Sequence, residues 1–326
     1  MNQEKTRELE KTIISDYSNV AGIIVQKNGE KLYEHYFNGF TADNAIHVFS
    51  VTKSVISALI GIAIDKGYIK SIDQKVLDFF PDYAVKTGEK IIQSVTIKNL
   101  LTMTAPYKYE SEPYEEFFAS DNWVKFALDL LGGEEHTGEF LYTAIIGTHI
   151  LSGVLAKATG QSILDFATEN IFSPLGINVR DNVIFRNEEE QLAWSAKDKH
   201  TSGWVVDPQG INTASWGLTL TPAEMVKIGQ LYLNDGLYDG RRIIPSKWVE
   251  ESTTEKSRWG ELPYGYLWWV IDSEGSHSYA AMGDGGNVIY VNMKKQMVIS
   301  IASLFIPDAK DRIELITERI EPIFED

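Results

Sequence analysis

The stretch that decides the fold is FSVTKSVISALIGIAIDK, residues 49–66. Its apolar side chains cover nearly the whole circumference of a helix, and small residues fill the remaining positions. A helix that is apolar on all sides is buried in a protein core. The sequence therefore predicts a buried helix over residues 50–66, which Gly67 would end, since glycine commonly ends helices.

Ser50 and Lys53 stand at the start of this helix, three residues apart. That spacing places their side chains on neighbouring positions of one helix face. A serine hydroxyl is a poor nucleophile near neutral pH, but an amine half-buried among apolar neighbours can act as its base. The free N–H groups of a helix N-terminus can also bind an oxyanion. A helix cap followed by a solvated lysine is the simpler alternative, and the local sequence leaves both open.

The two ends of the chain are rich in strand patterns. Near the N-terminus, Asn28-Gly29 separates two β-rich runs, which is a strong hairpin signal. The predicted strands are 22–26, 31–36, 264–271, 276–283, 287–292 and 297–303. Helical spacing at residues 3–18 and 308–323 predicts a helix at each end of the chain.

Helical patterns dominate the middle of the chain. The predicted helices there are 97–103, 123–131, 147–158, 163–169, 222–234 and 245–252. Strands at both ends of a chain join most easily into one antiparallel sheet. We therefore predict an α+β fold with an antiparallel sheet flanked by N- and C-terminal helices. The sheet domain would comprise residues 1–69 and 256–326, residues 70–255 would form a large, mostly helical inserted domain, and the active site would lie at their interface.

The composition excludes several classes of function. The 326 residues include no Cys, which excludes disulfides, thiolate nucleophiles and Cys-ligated metals. A net charge of −16 argues against binding to nucleic acid or anionic membranes. The six histidines show no metal-ligand spacing, and the G-x-S-x-G elbow of α/β-hydrolases is absent. Without a secretory signal or a long apolar run, the sequence predicts a cytoplasmic protein.

Two other segments could carry chemistry. Tyr142 precedes the apolar segment 147–158 and, taken alone, is most simply a core aromatic residue. The predicted strand 276–283 runs into Gly283-Asp284-Gly285-Gly286. Glycines at a strand end usually form a turn or bulge, but they also let a ligand approach the backbone closely. The glycines are not a dinucleotide fingerprint, because G-x-G-x-x-G fails at Val288.

Together these segments resemble the serine β-lactamase and penicillin-recognising enzyme superfamily, in particular its class C β-lactamase, D-Ala-D-Ala carboxypeptidase and esterase branch. The S-x-x-K motif matches Ser50 and Lys53, Y-x-N falls on 142–144, and the third motif, K-T-G or H-T-G, falls on 281–283. Further matches are 151–162, 172–177, 217–225 and 264–269, and the resemblance covers about residues 20 to 303. Within that branch, segments 218–225 and 264–269 look most like 6-aminohexanoate-oligomer hydrolases.

The resemblance implies acyl transfer to a serine, with no metal or other cofactor. Ser50 would attack the carbonyl of a small-molecule ester or amide, while Lys53 and Tyr142 share the proton transfers. The backbone N–H groups of Ser50 and Asp284 would form the oxyanion hole. Which of Lys53 and Tyr142 takes the serine proton stays open.

The substrate-binding residues implied by the motifs are Ala144, Gly283 and Gly285. Tyr107 and Trp216 lie in loop-like segments rich in aromatic residues, so they are candidates to line an apolar pocket, with core packing as the alternative.

Two departures from the family pattern narrow the expected substrate. Ala144 replaces the Asn of Y-x-N, which usually contacts substrate amides and the lysine, and Ala281 replaces the cation that meets a substrate carboxylate. Both changes favour an esterase or amidase with a neutral or amine-bearing substrate. The alternatives are a weak D-Ala-D-Ala carboxypeptidase or class C-type β-lactamase and, from another class, a catalytically idle binding protein. The oligomeric state is open.

Overall fold

The computed structural model describes residues 3–133, 137–200, 202–271 and 275–324. Its strands are β1 (Val20–Lys27), β2 (Glu30–Tyr36), β3 (Ile46–His47), β4 (Asp181–Val183), β5 (Gly203–Val205), β6 (Thr219–Leu220), β7 (Leu237–Tyr238), β8 (Arg241–Arg242), β9 (Ser257–Trp259), β10 (Leu262–Tyr264), β11 (Trp269–Val270), β12 (Ser278–Gly283), β13 (Asn287–Asn292) and β14 (Met297–Ser303).

The α-helices are α1 (Gln3–Asp16), α2 (Val51–Asp65), α3 (Ile97–Leu101), α4 (Tyr114–Ala119), α5 (Trp123–Leu130), α6 (Ile146–Thr159), α7 (Ile163–Ala167), α8 (Ser173–Leu175), α9 (Glu188–Ser195), α10 (Pro222–Leu233), α11 (Ser246–Ser252) and α12 (Arg312–Leu315). A π-helical turn, Ile316–Ile320, and a 3-10 turn, Glu321–Ile323, extend α12 to the end of the described chain.

Eight strands form one antiparallel sheet in the order β2-β1-β14-β13-β12-β11-β10-β9. The two ends of the chain meet where β1 pairs with β14, with Ile23 opposite Ile301. Asn28 and Gly29 join β1 to β2 with φ of 52° and 80°, a turn whose twist matches that of the strands. The predicted hairpin and the α+β architecture are confirmed.

Helices cover both faces of this sheet. On one face, α1 and the C-terminal helical segment place Ile13 and Ile316 in a core with Ile23 and Tyr290. On the other face, α10 packs against β1, β13 and β14, and the Ser300 hydroxyl donates to the Pro222 carbonyl at 2.9 Å. Thr221 begins α10 with a capping box, in which Glu224 is the reciprocal partner.

Helix α2 lies between the sheet and the helices of the middle region. It contacts β12 and β13 on one side and α6 on the other. One continuous hydrophobic core includes side chains of α2, α6 and the inner face of the sheet. The boundaries at residues 69 and 255 stay a prediction, and α10, although it falls within 70–255, lies on the sheet.

None of the helices in the described ranges is both long and apolar enough to cross a membrane.

Candidate active site

The turn that leads into α2 holds Ser50 in a constrained position. Phe49 has a φ of 49°, a left-handed conformation that bulky side chains rarely adopt. Such strain costs about 1–3 kcal/mol and is concentrated at functional sites. Ser50 follows as the N-cap of α2, yet its side chain makes no capping hydrogen bond. The partly exposed hydroxyl is therefore available for another partner.

That partner is Lys53. Its side chain is only 2% exposed, and Nζ donates hydrogen bonds to Ser50 Oγ at 2.9 Å and to the main-chain oxygen of Ala144 at 2.6 Å. Within the part of the chain that the structure describes, no carboxylate forms an ion pair with Lys53. A buried amine whose partners are neutral oxygens is in the setting where lysine serves as a base.

Tyr142 flanks the amine of Lys53. Nζ lies 5.2 Å from the centroid of the phenol ring. The other neighbours of the ring are Trp259 of β9 and Trp269 of β11, with centroids 5.9 and 5.8 Å away. The structure thus brings Ser50, Lys53 and Tyr142 together, although the tyrosine meets the lysine through its ring. No hydrogen bond links the phenol oxygen to Ser50 or Lys53 in the described ranges.

The main chain of Ala144 makes one of the contacts that the sequence analysis assigned to the missing asparagine. The Ala144 carbonyl oxygen, rather than a side chain, accepts the hydrogen bond of Lys53. Loss of the asparagine therefore leaves the lysine with a polar partner. What this position lacks is a side-chain amide that could face a substrate.

The end of β12 lies directly against the turn that carries Ser50. A methyl group on Gly283 would lie 2.3 Å from the Val48 carbonyl oxygen and 3.0 Å from the Ser50 nitrogen. Only glycine leaves room for this contact, which places the Gly283–Asp284 peptide beside the start of α2. The tight approach is what an oxyanion hole formed by two backbone N–H groups requires.

A buried hydrogen-bond network anchors the glycine-rich loop, residues 283–286. Asn19 Nδ2 donates to the Gly285 carbonyl oxygen at 2.7 Å, and Arg312 donates to Asn19 Oδ1 at 2.6 Å. Arg312 is 3% exposed, and burial lowers the pKa of its guanidinium to about 10. The Asp284 side chain, by contrast, is exposed.

Glu112 is a residue of this site that the sequence analysis missed. Its carboxylate accepts hydrogen bonds from the backbone N–H groups of Ala144 at 2.8 Å, Ile145 at 3.2 Å and Ile146 at 2.7 Å. These groups stand at the start of α6, whose N-cap, Ile145, has no capping side chain of its own. An uncapped helix start predicts a cap from another segment, but nothing in the spacing indicates which residue supplies it.

Tyr114 is a hydrogen-bond partner of Glu112. Its hydroxyl donates to Glu112 Oε2 at 2.9 Å. The pKa of Tyr114 is raised by burial, by Glu112 and, to a smaller extent, by the negative charge of Asp284. The Asp284 carboxylate is therefore close enough to Tyr114 for its charge to contribute to the raised pKa of the phenol.

Tyr107 and Trp216 do not line an open cleft. They are 7% and 8% exposed, respectively. Tyr107 stacks on Tyr109, and Trp216 packs among other aromatic rings, Trp123 included. Buried rings offer a substrate little surface, so the structure favours the packing alternative for both residues. Trp259, beside Tyr142, is 59% exposed and is the aromatic side chain of this region that sequence reasoning overlooked.

The histidines that are described here have structural partners or lie outside the site. Buried His47 accepts the Gly217 N–H at 2.8 Å, and burial lowers the pKa of its imidazole well below the usual value. His149 pairs with Asp207 at 3.2 Å. His136 lies outside the described residues. The described residues hold no group of three or more His, Asp or Glu side chains arranged to bind a metal ion.

Comparison with known proteins shows which family and fold the chain resembles. The family model described as Beta-lactamase matches residues 12–318. The 6-aminohexanoate-dimer hydrolase of Paenarthrobacter ureafaciens is 23% identical over 300 residues, which cover 85% of this chain and 70% of that protein.

Two solved structures share the fold. The octameric penicillin-binding protein homologue from Pyrococcus abyssi superposes with a TM-score of 0.72 at 20% identity, over 99% of this chain and 78% of the other. A family VIII carboxylesterase superposes with a TM-score of 0.70 at 18% identity, over 97% and 96%. The family model covers nearly the whole sequence, so this chain belongs to the beta-lactamase family, as its motifs indicated.

Proposed function

We propose that this protein is a serine hydrolase that cleaves an ester or amide bond of a small molecule through an acyl-enzyme on Ser50. The observation that carries the proposal is the 2.9 Å hydrogen bond between Ser50 Oγ and the buried amine of Lys53, at the start of a helix. A nucleophile and a base within hydrogen-bonding distance are the minimum arrangement for acyl transfer.

In the proposed reaction, Ser50 Oγ bonds to the substrate carbonyl carbon and gives up its proton to one base, either Lys53 or Tyr142. The carbonyl oxygen becomes an oxyanion, which the N–H groups of Ser50 and Asp284 stabilise. The intermediate then collapses, the bond to the leaving group breaks, and the leaving alcohol or amine takes the proton. Water, activated by the same side chains, hydrolyses the acyl-enzyme and restores the serine.

The surroundings of the third motif support a neutral or amine-bearing substrate. Ala281 is 1% exposed and supplies no cation, and the exposed side chain that follows Gly283 is the acidic Asp284. A substrate carboxylate at this position would meet a negative charge instead of a positive one. We therefore favour an esterase or amidase over a carboxypeptidase or a β-lactamase.

A covalent probe tests the proposed nucleophile. After incubation with a fluorophosphonate, we expect one adduct per chain, located on Ser50 by peptide mass spectrometry, since among the described side chains it is this hydroxyl that contacts Lys53. Heat-denatured protein is the control and should stay unlabelled. If folded protein is labelled by neither the fluorophosphonate nor a penicillin probe, the chain is a binding protein rather than a hydrolase.

Substrate preference tests the interpretation of Ala281. We expect measurable hydrolysis of short-chain p-nitrophenyl esters and a kcat/KM for a cephalosporin that is lower by about 10- to 100-fold or more, the cost of losing a charge-assisted hydrogen bond. The methyl ester of the same cephalosporin is the matched control and should be the better substrate of the two. Rapid turnover of the free carboxylate would instead establish a β-lactamase.

A further inference from the structure

We propose that Glu112 is a positioning residue of this site. In this proposal its carboxylate fixes and polarises the Ala144–Ile145 peptide, whose carbonyl oxygen holds the amine of Lys53 beside Ser50. The inference rests on the proposed acyl transfer at Ser50 and adds to it a residue that no family motif contains.

One peptide group, between Ala144 and Ile145, links Glu112 to Lys53. The Ala144–Ile145 peptide donates through the Ile145 nitrogen to Glu112, at 3.3 Å to Oε1 and 3.2 Å to Oε2. The carbonyl oxygen of the same peptide accepts from Lys53 Nζ at 2.6 Å. In a trans peptide the N–H and C=O bonds point in opposite directions, so this group bridges the carboxylate and the amine.

The charge of the Glu112 carboxylate strengthens the hydrogen bond between this peptide and Lys53. A carboxylate that accepts a hydrogen bond from a peptide N–H increases the dipole of that peptide. The carbonyl oxygen of the peptide then becomes a stronger acceptor, because successive hydrogen bonds polarise one another. The flanking N–H groups of Ala144 and Ile146 donate to the two ends of the same carboxylate at 2.8 and 2.7 Å. A negative charge at the start of α6 is also favoured by the helix dipole. Glu112 therefore both anchors the peptide and strengthens its hold on Lys53.

The neighbouring side chains at the start of α6 cannot replace Glu112 as a hydrogen-bond acceptor. The side chains of Ala144 and Ile145 cannot accept a hydrogen bond, and Ile145 is the N-cap of α6. Without Glu112 the start of α6 would have three N–H groups without a protein acceptor, and the Ala144 carbonyl could rotate away from Lys53. Because a displacement of about 1 Å can cost about 100-fold in rate, the site depends on this anchor.

The test is Glu112→Gln, measured by steady-state hydrolysis of a p-nitrophenyl ester and by the rate of fluorophosphonate labelling. A glutamine can accept at one end, but its NH2 group faces an N–H donor at the other. We expect kcat and the labelling rate to fall together by about 10- to 100-fold, with KM changed less than about threefold. Glu112→Asp keeps the charge on a shorter stem and should lie between wild type and Glu112→Gln.

Thr221→Ala is the matched control, since it removes the capping box of α10, a helix that packs on β1, β13 and β14. It should lower the melting temperature to a similar extent without changing kcat. If both caps affect stability alone, Glu112 is only a structural cap and the inference is wrong. If the wild-type chain neither hydrolyses the ester nor takes the label, it is the proposed function that fails.

Discussion

Replacing Lys53 with Met is expected to reduce kcat/KM for a p-nitrophenyl ester by about 10³-fold or more, close to the background left by Ser50→Ala. The amine is the basic side chain within hydrogen-bonding distance of Ser50 Oγ, at 2.9 Å, and Met keeps the unbranched shape without a nitrogen. Fluorophosphonate labelling should slow in parallel, because acylation of the serine needs the same base.

The variant should still fold. Lys53 is buried in α2, where Met is a good apolar replacement, and the main loss is the hydrogen bond to the Ala144 carbonyl. Leaving that acceptor unpaired costs about 1–3 kcal/mol. Lys66→Met, at the exposed C-terminal end of the same helix, is the control and should keep full activity. Near-normal activity of Lys53→Met would mean that another group, such as Tyr142, takes the serine proton.

Local sequence patterns predict those elements of the fold that depend on interactions between residues close in sequence. Helix α2 spans Val51–Asp65, within a residue of the predicted limits, because an all-round apolar pattern allows it only a buried position. Helical spacing places Ser50 and Lys53 on one face, and the structure shows that they form a hydrogen bond. Only a family motif predicts Tyr142 beside them, because it lies 89 positions after Lys53 and no local rule connects the two.

The features that the sequence patterns did not predict depend on caps, turns and contacts between distant segments. The predicted strand 264–271 is broken, since Leu267 adopts a φ of 60° and its N–H donates to the Leu101 carbonyl at 3.0 Å. The last helix begins at Arg312 rather than near 308, because the Asp311 side chain caps it. Glu112 bonds to a helix start more than 30 residues away along the sequence, a pairing that composition and spacing do not reveal.

The second large effect is expected at Gly283. Replacement with Ala would put a methyl group 2.3 Å from the Val48 carbonyl oxygen, 3.0 Å from the Ser50 nitrogen and 3.2 Å from the Val51 nitrogen. All three are backbone atoms, so no flexible side chain can yield, and either the strand end or the nucleophile turn must move. The φ of −133° at Gly283 suits alanine, so the effect is steric rather than conformational.

We expect Gly283→Ala to lower kcat by about 10²- to 10³-fold, the usual cost of losing one oxyanion-hole donor, because the Asp284 N–H is displaced from Ser50. Gly22→Ala is the matched control. A methyl group there would also be tightly placed, 2.9 Å from the Tyr36 ring and 3.0 Å from Pro222, but these contacts are with side chains, and β1 lies three strands from β12 in the sheet. It should reduce stability and leave kcat unchanged. If Gly283→Ala were equally active per folded molecule, the oxyanion would have to be bound by other donors, and the assignment of Asp284 would be wrong.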